Sequence, residues 1–213
     1  MTRGKFIVFE GLDGAGTTTQ AKRLAEWLRG QGRVVLETAQ PSKGPIGKTI
    51  RAALGRSLLG RDGQRLVPET IAGLFVADRA DHLATEIEPA LAAGTDVICD
   101  RYLYSSLAYQ GAECDAPWVA AMNARFPGPD IVLYLRVSAE VAGRRRAGRD
   151  DDPELYEADA FQRIVAEGYD AVAQWRPDDL IVTIDGEADL DTIHRACRTA
   201  LRVLPDFLEE SER

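Results

Sequence analysis

A chain of 213 residues with 45% apolar and 28% charged residues is long enough for one folded domain with a sizeable core, and its composition is that of an ordinary globular protein. The formal net charge of −8 argues against nucleic acid as the main ligand, and without an apolar run of about 18 residues we expect no membrane span. Three widely spaced cysteines without a C-x-x-C pair, and an N-terminus without a signal-peptide pattern, predict a reduced, cytoplasmic protein.

Apolar, β-rich runs alternate with helical patterns along the chain. The predicted strands are Phe6–Glu10, Val34–Thr38, Asp96–Cys99, Ile131–Val137 and Leu180–Ile184. The predicted helices are Thr18–Arg29, Ile46–Leu59, Pro68–Ala93, Trp118–Arg125, Ala139–Ala147, Glu157–Trp175 and Leu190–Leu204. This alternation predicts an α/β fold, a parallel five-stranded sheet with helices on both faces. Ligands of such sheets bind beyond the carboxyl ends of the strands, so the informative residues are expected there.

A glycine-rich segment, EGLDGAGTTTQ at residues 10–20, follows the first strand and leads into the first helix. Gly11, Gly16 and Thr18 match the phosphate-binding pattern G-x-x-x-x-G-K-[ST], but Thr17 stands where the pattern has lysine. Glycines let several backbone N–H groups point at one anion, and the following helix adds the positive end of its dipole. The segment predicts a nucleotide-phosphate loop with Thr18 as a Mg²⁺ ligand, and it leaves a kinase, a GTPase and an inactive nucleotide-binding protein open.

An acidic and a basic residue, Asp100 and Arg101, follow the third predicted strand. Asp100 resembles the metal-binding acid of phosphate-loop enzymes, which holds Mg²⁺ directly or through water. Arg101 can hold a phosphate through two parallel hydrogen bonds. The alternative is a surface ion pair at the end of a strand.

A cluster of arginines lies before the acidic run DDD at residues 150–152, and its members are Arg144, Arg145, Arg146 and Arg149. A basic segment between two helices suits a lid that closes on phosphates, so we predict a lid at residues 144–156 within a single domain of residues 1–213. The alternative is a solvated basic face that the following aspartates screen.

On the long predicted helix, Phe75 and Arg79 are four residues apart and therefore share one face. Such a pair could stack a base and hydrogen-bond its edge, but taken alone the two residues favour a core phenylalanine and an ion-paired arginine. The segment SSLAYQG at 105–111 adds hydroxyls and an amide, and alone it predicts an ordinary helix end. His82 and His194 lack the paired spacing of a zinc site, so both are expected on helix surfaces.

Together these segments resemble the thymidylate kinases, the phosphate-loop enzymes that phosphorylate dTMP with ATP. The matching runs follow in order over nearly the whole chain: FEGLDGAG at 9–16, the turn at Pro41, LFVADRA at 74–80, DRYLYSSLAYQG at 100–111, the arginine-rich segment, and IVTIDGEADLDTI at 181–193. The run at 100–111 is the specific part, because general phosphate-loop proteins lack it. The resemblance implies the fold of the nucleoside monophosphate kinases and the conversion of ATP and dTMP to ADP and dTDP, a step of dTTP synthesis.

The resemblance also implies roles for residues at matching positions. The residues implied to bind dTMP are Pro41 near the thymine methyl, Phe75 stacked on the base, Arg79 at a thymine carbonyl, Arg101 at the phosphate, Ser106 near the ring N3, Tyr109 under the sugar, and Gln110 with Gly111 closing the pocket. The residues implied to bind ATP are Gly11, Leu12, Asp13, Gly14, Ala15, Gly16, Thr17, Thr18 and Thr19. Mg²⁺ is implied at Thr18 and Asp100, and the implied catalytic residues are Asp13, Arg101, Arg145 and Arg149.

The position of the arginines resembles one type within this family. Loop positions 12–15 contain no arginine and the predicted lid is rich in it, as in bacterial enzymes whose transfer arginine lies in the lid. The chain departs from the family pattern at Thr17, which replaces the loop lysine, and at Leu155, where many relatives have a lid arginine. Arg149, or one of the arginines at 144–146, is therefore expected to serve the transferred phosphoryl group. The implied partners are dTMP, ATP and a second copy of the chain, with no nucleic acid and no membrane.

Two other functions stay open at this point. The missing lysine could mark a catalytically weak nucleotide-binding relative, although decay would be expected to erode the residues of the base pocket as well. The chain could also phosphorylate another nucleoside monophosphate or a deoxynucleoside. Against this, the implied Arg79 contact favours a carbonyl over the amino group of cytosine, whereas uracil lacks only the methyl group of thymine.

Overall fold

Five parallel strands form one sheet at the centre of the protein. In the computed structural model, which describes residues 2–147 and 159–207, the strands are β1 Phe6–Gly11, β2 Val35–Ala39, β3 Asp96–Asp100, β4 Ile131–Arg136 and β5 Ile181–Asp185. They lie in the order β2-β3-β1-β4-β5, and every neighbouring pair is parallel. The predicted sheet is therefore confirmed, and its strand ends differ from the predicted ones by one residue at most.

Helices account for most of the remaining described chain. They are α1 Thr17–Gly30, α2 Pro45–Leu54, α3 Pro68–His82, α4 Glu88–Ala92, α5 Leu103–Tyr109, α6 Ala116–Asn123, α7 Ala139–Arg146, α8 Asp159–Trp175 and α9 Leu190–Ala200. A π-helical turn, Leu83–Ile87, joins α3 to α4, and two short 3-10 turns follow α9. Within the described ranges, none of these helices combines the length and the apolar character that crossing a membrane requires.

Several helix predictions differ from the structure. Helix α2 ends at Leu54 rather than at Leu59, and α9 ends at Ala200 rather than at Leu204. The long helix predicted at Pro68–Ala93 is not regular, because the N–H of Glu88 bonds to Leu83 O, five residues back, and Pro89 has no N–H to donate. The helix end predicted at 105–111 is that of α5, but the sequence pattern does not mark where this helix begins, because six of its seven residues are buried and no polar face marks a helical period.

The expectation that His82 lies on a helix surface is wrong. Only 2% of His82 is exposed, and its Nε2 lies 2.8 Å from the hydroxyl of Thr38 on β2. Burial lowers the pKa of the imidazole below its usual value, so His82 is neutral at physiological pH. It packs α3 against the edge of the sheet.

The order of the strands brings two of the predicted functional segments together. Strand β1 lies between β3 and β4, and all of its residues are buried, including Glu10. Phe9 on β1 pairs with Asp100 on β3. The glycine-rich segment after β1 and the residues after β3 therefore emerge side by side at the carboxyl edge of the sheet.

A buried ion pair closes the opposite edge of the sheet. Asp96, at the start of β3, has a side chain that is 2% exposed and accepts hydrogen bonds from Lys5 N at 2.8 Å and from the guanidinium of Arg33. We expect Asp96→Ala to lower the free energy of unfolding by about 3 kcal/mol, because it removes the buried acceptor of both Lys5 N and the partly buried Arg33 guanidinium. Urea unfolding followed by circular dichroism measures the change.

The matched control is Asp170→Ala, which removes the exposed partner of Arg136. Because both of those side chains are solvated, the expected loss is below about 1 kcal/mol. Equal losses for the two variants would contradict the account of the buried pair.

Candidate active site

The glycine-rich loop between β1 and α1 has the backbone shape that a phosphate requires. Gly14 and Gly16 have φ values of 91° and 92°, which glycine adopts without strain. A Cβ atom at Gly14 would lie 2.6 Å from the carbonyl oxygen of Ala142, so the loop packs directly against α7. The loop N–H groups and the N-terminus of α1 thus lie together, which is the arrangement that binds phosphate groups.

The three threonines after Gly16 begin α1 with different exposures. Thr17, at the lysine position, is buried, whereas Thr18 and Thr19 are exposed. Thr18 donates a hydrogen bond from its hydroxyl to Oδ2 of Asp100 at the end of β3. The two residues to which the family resemblance assigns Mg²⁺ are therefore in direct contact.

One oxygen of Asp100 is left for a ligand. Its Oδ1 atom is buried and has no hydrogen-bond partner among the described residues. A buried oxygen without a partner beside a threonine hydroxyl fits a hard divalent cation. In the described ranges no three His, Cys, Asp or Glu side chains cluster to hold a metal. Two protein ligands suit Mg²⁺, which commonly takes one or two side chains and completes its shell with water and phosphate oxygens.

The last turn of α7 brings arginines to the glycine-rich loop. Arg146 is buried and donates from Nη1 to Asp13 O at 2.7 Å. Arg145 donates from Nη1 to Gly186 O at 2.9 Å and, more weakly, to Ala15 O at 3.5 Å. Two positive charges therefore lie against the loop that lacks its lysine.

Arg101 occupies a strained backbone position at the end of β3. Its φ of 71° is in the left-handed region, which costs a residue with a Cβ about 1–2 kcal/mol. Its N–H donates to Phe9 O at 2.9 Å, and the N–H of Tyr102 donates to Glu10 at 2.7 Å. These bonds hold the strained residue, as is common at functional sites.

The guanidinium of Arg101 is fixed on one side only. Its Nη1 donates to Gly11 O at 2.9 Å and lies 3.3 Å from the hydroxyls of Ser105 and Tyr169. Its Nε and Nη2 atoms donate to no group in the described part of the chain. This edge carries two parallel N–H groups, which is the geometry that holds two phosphate oxygens.

Glu10 is the acceptor at the centre of this cluster. Four donors converge on its buried carboxylate: Tyr102 N, Ser105 N, Ser105 Oγ and Tyr169 OH, at 2.7, 3.2, 2.6 and 2.9 Å. Burial raises the pKa of Glu10 above its usual value, while the hydrogen bond from Ser105 and the charge of Arg101 act in the opposite direction. A carboxylate that receives four hydrogen bonds is fully satisfied without contacting a ligand itself.

Tyr109 on α5 connects this cluster to the glycine-rich loop. Its hydroxyl accepts a hydrogen bond from the N–H of Asp13 at 3.0 Å, and the Arg101 guanidinium lies 5.4 Å from the centre of its ring. The loop, Arg101 and α5 therefore form one connected wall.

A second polar cluster surrounds Arg79 on α3. Arg79 is fully buried, and its guanidinium donates to four groups: Gln40 Oε1 at 3.0 Å, Ser106 Oγ at 2.9 Å, Tyr102 O at 3.2 Å and Asn123 Oδ1. Burial lowers its pKa to about 10, so the side chain stays charged at neutral pH. No carboxylate pairs with Arg79 in the described ranges, so the simple alternative of an ion-paired arginine is wrong.

Asp78, the residue before Arg79 on α3, holds the turn that follows β2. Asp78 is buried and accepts from the N–H and the hydroxyl of Ser42, at 2.7 and 2.6 Å. The Gln40–Pro41 peptide bond is cis, and Arg51 donates to Pro41 O at 2.8 Å. Consecutive residues of α3 thus fix the Pro41 turn and the Arg79 cluster relative to each other.

The comparison with known families favours one of the open alternatives. A family model described as thymidylate kinase matches residues 9–197 of this chain. The chain belongs to the thymidylate kinase family.

Curated relatives agree over nearly the full length. The chain is 42% identical to a probable thymidylate kinase of Pyrococcus horikoshii over 194 residues, which cover 90% of this chain and 93% of that protein. It is 39% identical to a thymidylate kinase of Alkalilimnicola ehrlichii over 208 residues, covering 94% of each. It is 35% identical to one from Trichormus variabilis over 215 residues, covering 97% of this chain and 98% of that protein.

Most of the residues predicted from the family resemblance lie in the two clusters. The loop residues, Asp100 and Arg101 lie together, and Ser106 joins Arg79. Phe75 is half-buried at the edge of the core, and Gln110 is buried beyond α5. Arg149 and the remainder of the predicted lid from residue 148 to 156 lie outside the described residues.

Three residues of this thymidylate kinase site are missing from the sequence-based prediction. The sequence could have indicated Glu10, because it is a carboxylate at the end of an otherwise apolar strand. Tyr169 on α8 and Asn123 on α6 had none, because each looks like an ordinary residue of a helix that faces the core. Only the packing of those helices brings them to Arg101 and Arg79.

Proposed function

We propose that this chain transfers the γ-phosphoryl group of ATP to dTMP, giving dTDP and ADP. The observation that carries the proposal is the free Nε–Nη2 edge of Arg101, next to the glycine-rich loop. The Nη1 atom of the same guanidinium is bonded to Gly11 O, so a phosphate held by the free edge would lie close to phosphates held by the loop. Membership of the thymidylate kinase family supports the assignment of the acceptor.

The reaction needs positioning and neutralisation of charge more than covalent help. Backbone N–H groups at 14–18 hold the donor phosphates, and Arg101 orients the acceptor phosphate. Thr18 and Asp100 would hold Mg²⁺, which neutralises charge on the donor phosphates when it is bound. Asp13, in the loop, would lie near the sugar 3′-hydroxyl or the metal. Closure of the segment 144–156 excludes water and so limits hydrolysis of ATP.

The base end of the site accounts for the choice of thymine. Arg79 has five N–H donors and uses four of them within the protein, which leaves one Nη1 hydrogen. Because the side chain is fully buried, a base carbonyl reaches this hydrogen only if the pocket opens when dTMP binds. Ser106 lies near the ring N3, and Phe75 stacks on the base. Tyr109 packs under the sugar, Pro41 lies near the methyl group, and Gln110 closes the pocket.

An assay of ADP formation with a panel of acceptors tests this proposal. With Mg·ATP we expect strong turnover with dTMP, and little without an acceptor. Turnover with dUMP should be within roughly one order of magnitude, because a buried methyl group contributes about 1 kcal/mol. Equal turnover with CMP or dGMP would overturn the assignment.

We also propose that arginines of α7 replace the charge of the missing loop lysine. Arg145 and Arg146 support this, since both donate to carbonyl groups of the loop. This arrangement corresponds to the type of the family in which the transfer arginine lies in the lid rather than in the loop, and Arg149 is its other candidate.

Alanine variants test the replacement of the lysine. We expect Arg145→Ala and Arg146→Ala each to lower kcat about tenfold and to raise the KM for ATP, because each removes a fixed cation beside the donor phosphates. Arg144→Ala is the third variant, since Arg144 is on the same turn, and Arg163→Ala, at an exposed arginine of α8, is the matched control. Steady-state kinetics with thermal unfolding curves measure the effects. Unchanged turnover in all three variants and in Arg149→Ala would refute the idea.

We also propose that the protein is a homodimer in the cytoplasm, and only its membership of the family supports this. Light scattering on the purified chain tests the dimer, and a monomeric mass at micromolar concentration would contradict it.

A further inference from the structure

The guanidinium of Arg101 has a carboxylate near it but no direct bond to that carboxylate. No ion pair of Arg101 occurs within residues 2–147 and 159–207, although Glu10 is buried in the same cluster. Two hydroxyl groups lie between them. The hydroxyls of Ser105 and Tyr169 lie 2.6 and 2.9 Å from Glu10 Oε2, and each lies 3.3 Å from Arg101 Nη1.

These distances limit the direction of each hydrogen bond. A hydroxyl group has one proton, and Ser105 Oγ and Tyr169 OH lie 2.9 Å from each other as well as close to Glu10. Both hydroxyls therefore donate to Glu10, or one donates to Glu10 and the other to its neighbour, and in either arrangement no hydroxyl proton points at Arg101. Each hydroxyl oxygen then presents its lone pairs to Arg101 Nη1, which can only donate. If the carboxylate were removed, either hydroxyl could turn its proton toward the guanidinium and repel it.

The same contacts leave the opposite edge of Arg101 free. Gly11 O, Ser105 and Tyr169 all contact Nη1, while Nε and Nη2 have no acceptor among the described residues. Fixing one nitrogen of a rigid planar group fixes the direction in which its other N–H groups point. The contacts of Nη1 therefore set the direction of the Nε–Nη2 edge and leave that edge available for a ligand.

We propose that Glu10 and Tyr169 are positioning residues, which act through Arg101: the buried carboxylate sets the Tyr169 and Ser105 hydroxyls as acceptors, and these hold the guanidinium in the orientation that receives the acceptor phosphate. Neither residue needs to touch a substrate. The inference rests on the proposed function, in which Arg101 binds the phosphate of dTMP.

Tyr169→Phe is the direct test, because it removes one oxygen atom and keeps the buried ring. We expect kcat/KM for dTMP to fall about 10- to 100-fold, as misplacement of a positioning group typically does. The KM for ATP should stay within about twofold, because the loop contacts are untouched. A general disturbance of the structure would instead change the kinetic constants for both substrates and lower the melting temperature.

Tyr134→Phe is the matched control. The Tyr134 ring on β4 stacks on the ring of Tyr169, with centroids 5.2 Å apart, and its hydroxyl interacts with Arg136 and Asp170 rather than with Arg101. We expect this variant to keep the wild-type kinetics for both substrates. Glu10→Gln, which keeps the size of the side chain and removes its charge, should show the same selective loss as Tyr169→Phe.

A double-mutant cycle asks whether Tyr169 acts through Arg101. In an Arg101→Lys background the planar group is absent, so adding Tyr169→Phe should change kcat/KM for dTMP by less than about twofold. Losses that multiply independently would overturn the inference, as would wild-type kinetics for Tyr169→Phe alone. If the wild-type protein forms no dTDP, both the proposed function and this inference are wrong. If the wild-type protein forms dTDP, the proposed function stands and the variants test the inference by itself.

Discussion

We expect Arg101→Lys to lower kcat/KM for dTMP by about 10²- to 10³-fold, the loss typical of one fixed donor in a preorganised site. The reason is geometric rather than electrostatic, because lysine keeps the positive charge. Arginine presents Nε and Nη2 as a fixed fork that matches two oxygens of a phosphate, and lysine is a flexible point charge. In the structure that fork is free and its direction is set by the contacts of Nη1.

The kinetic signature separates this effect from a general disturbance of the site. Because Arg101 serves the acceptor, the KM for ATP should stay within about threefold of the wild-type value. Arg163→Lys is the control, since Arg163 is an exposed arginine of α8 whose partner is Glu140. Initial rates over a grid of both substrate concentrations measure the constants. A loss that is equal for both substrates would contradict the assignment of Arg101 to the acceptor.

Asp100→Asn has the second large effect, a fall in kcat of about 10²-fold or more, as expected when a divalent cation loses a charged ligand. The variant keeps the shape of the side chain and removes the charge. The evidence is the buried Oδ1 of Asp100, which has no partner among the described residues, and the hydrogen bond from Thr18 to Oδ2. In this account, Oδ1 is the oxygen that faces the metal or its water.

The dependence on Mg²⁺ provides the measurement. Rates at increasing Mg²⁺ concentration should saturate later in Asp100→Asn than in the wild-type protein, and chelation of Mg²⁺ should abolish turnover in both. Asp170→Asn, at an exposed carboxylate of α8, should leave the curve unchanged. A wild-type Mg²⁺ curve for Asp100→Asn would remove Asp100 from the metal site.

The sheet is predictable from the chain because its strands are short apolar runs separated by helices. Parallel strands share one carboxyl edge, so the order of strands and helices along the chain is enough to expect the glycine-rich loop near Asp100 and Arg101. Only the end of helix α5 is predictable from the sequence. A helix buried on nearly all sides has no polar face, so no helical period marks where it begins.

The residues that support Arg101 and Arg79 from behind are not predictable in this way. Tyr169 and Asn123 reach Arg101 and Arg79 from helices that are distant in sequence, and their local patterns indicate only a face toward the core. Arg79 is instructive, because the residue pattern favoured an ion pair and the structure has a buried guanidinium with four uncharged partners. Long-range packing decides such partners, and a single sequence does not encode it visibly.

Thr17 is the point at which this chain departs most from the usual phosphate loop. A lysine there would add a mobile positive charge beside the donor phosphates, and Thr17 is buried and uncharged. Arg145 and Arg146 on α7 donate to carbonyl groups of the loop. The central claim is that these cations compensate and that the chain is an active kinase rather than a binding protein.

The most direct test is the rate of dTDP formation from Mg·ATP and dTMP, measured side by side for the wild-type protein and Thr17→Lys, with dTMP binding measured by calorimetry. The account predicts strong wild-type turnover and a change of less than about tenfold in Thr17→Lys, because the charge is already supplied. Tight binding of dTMP without wild-type turnover, together with a large gain in Thr17→Lys, would contradict it and would favour a nucleotide-binding relative that has lost its activity.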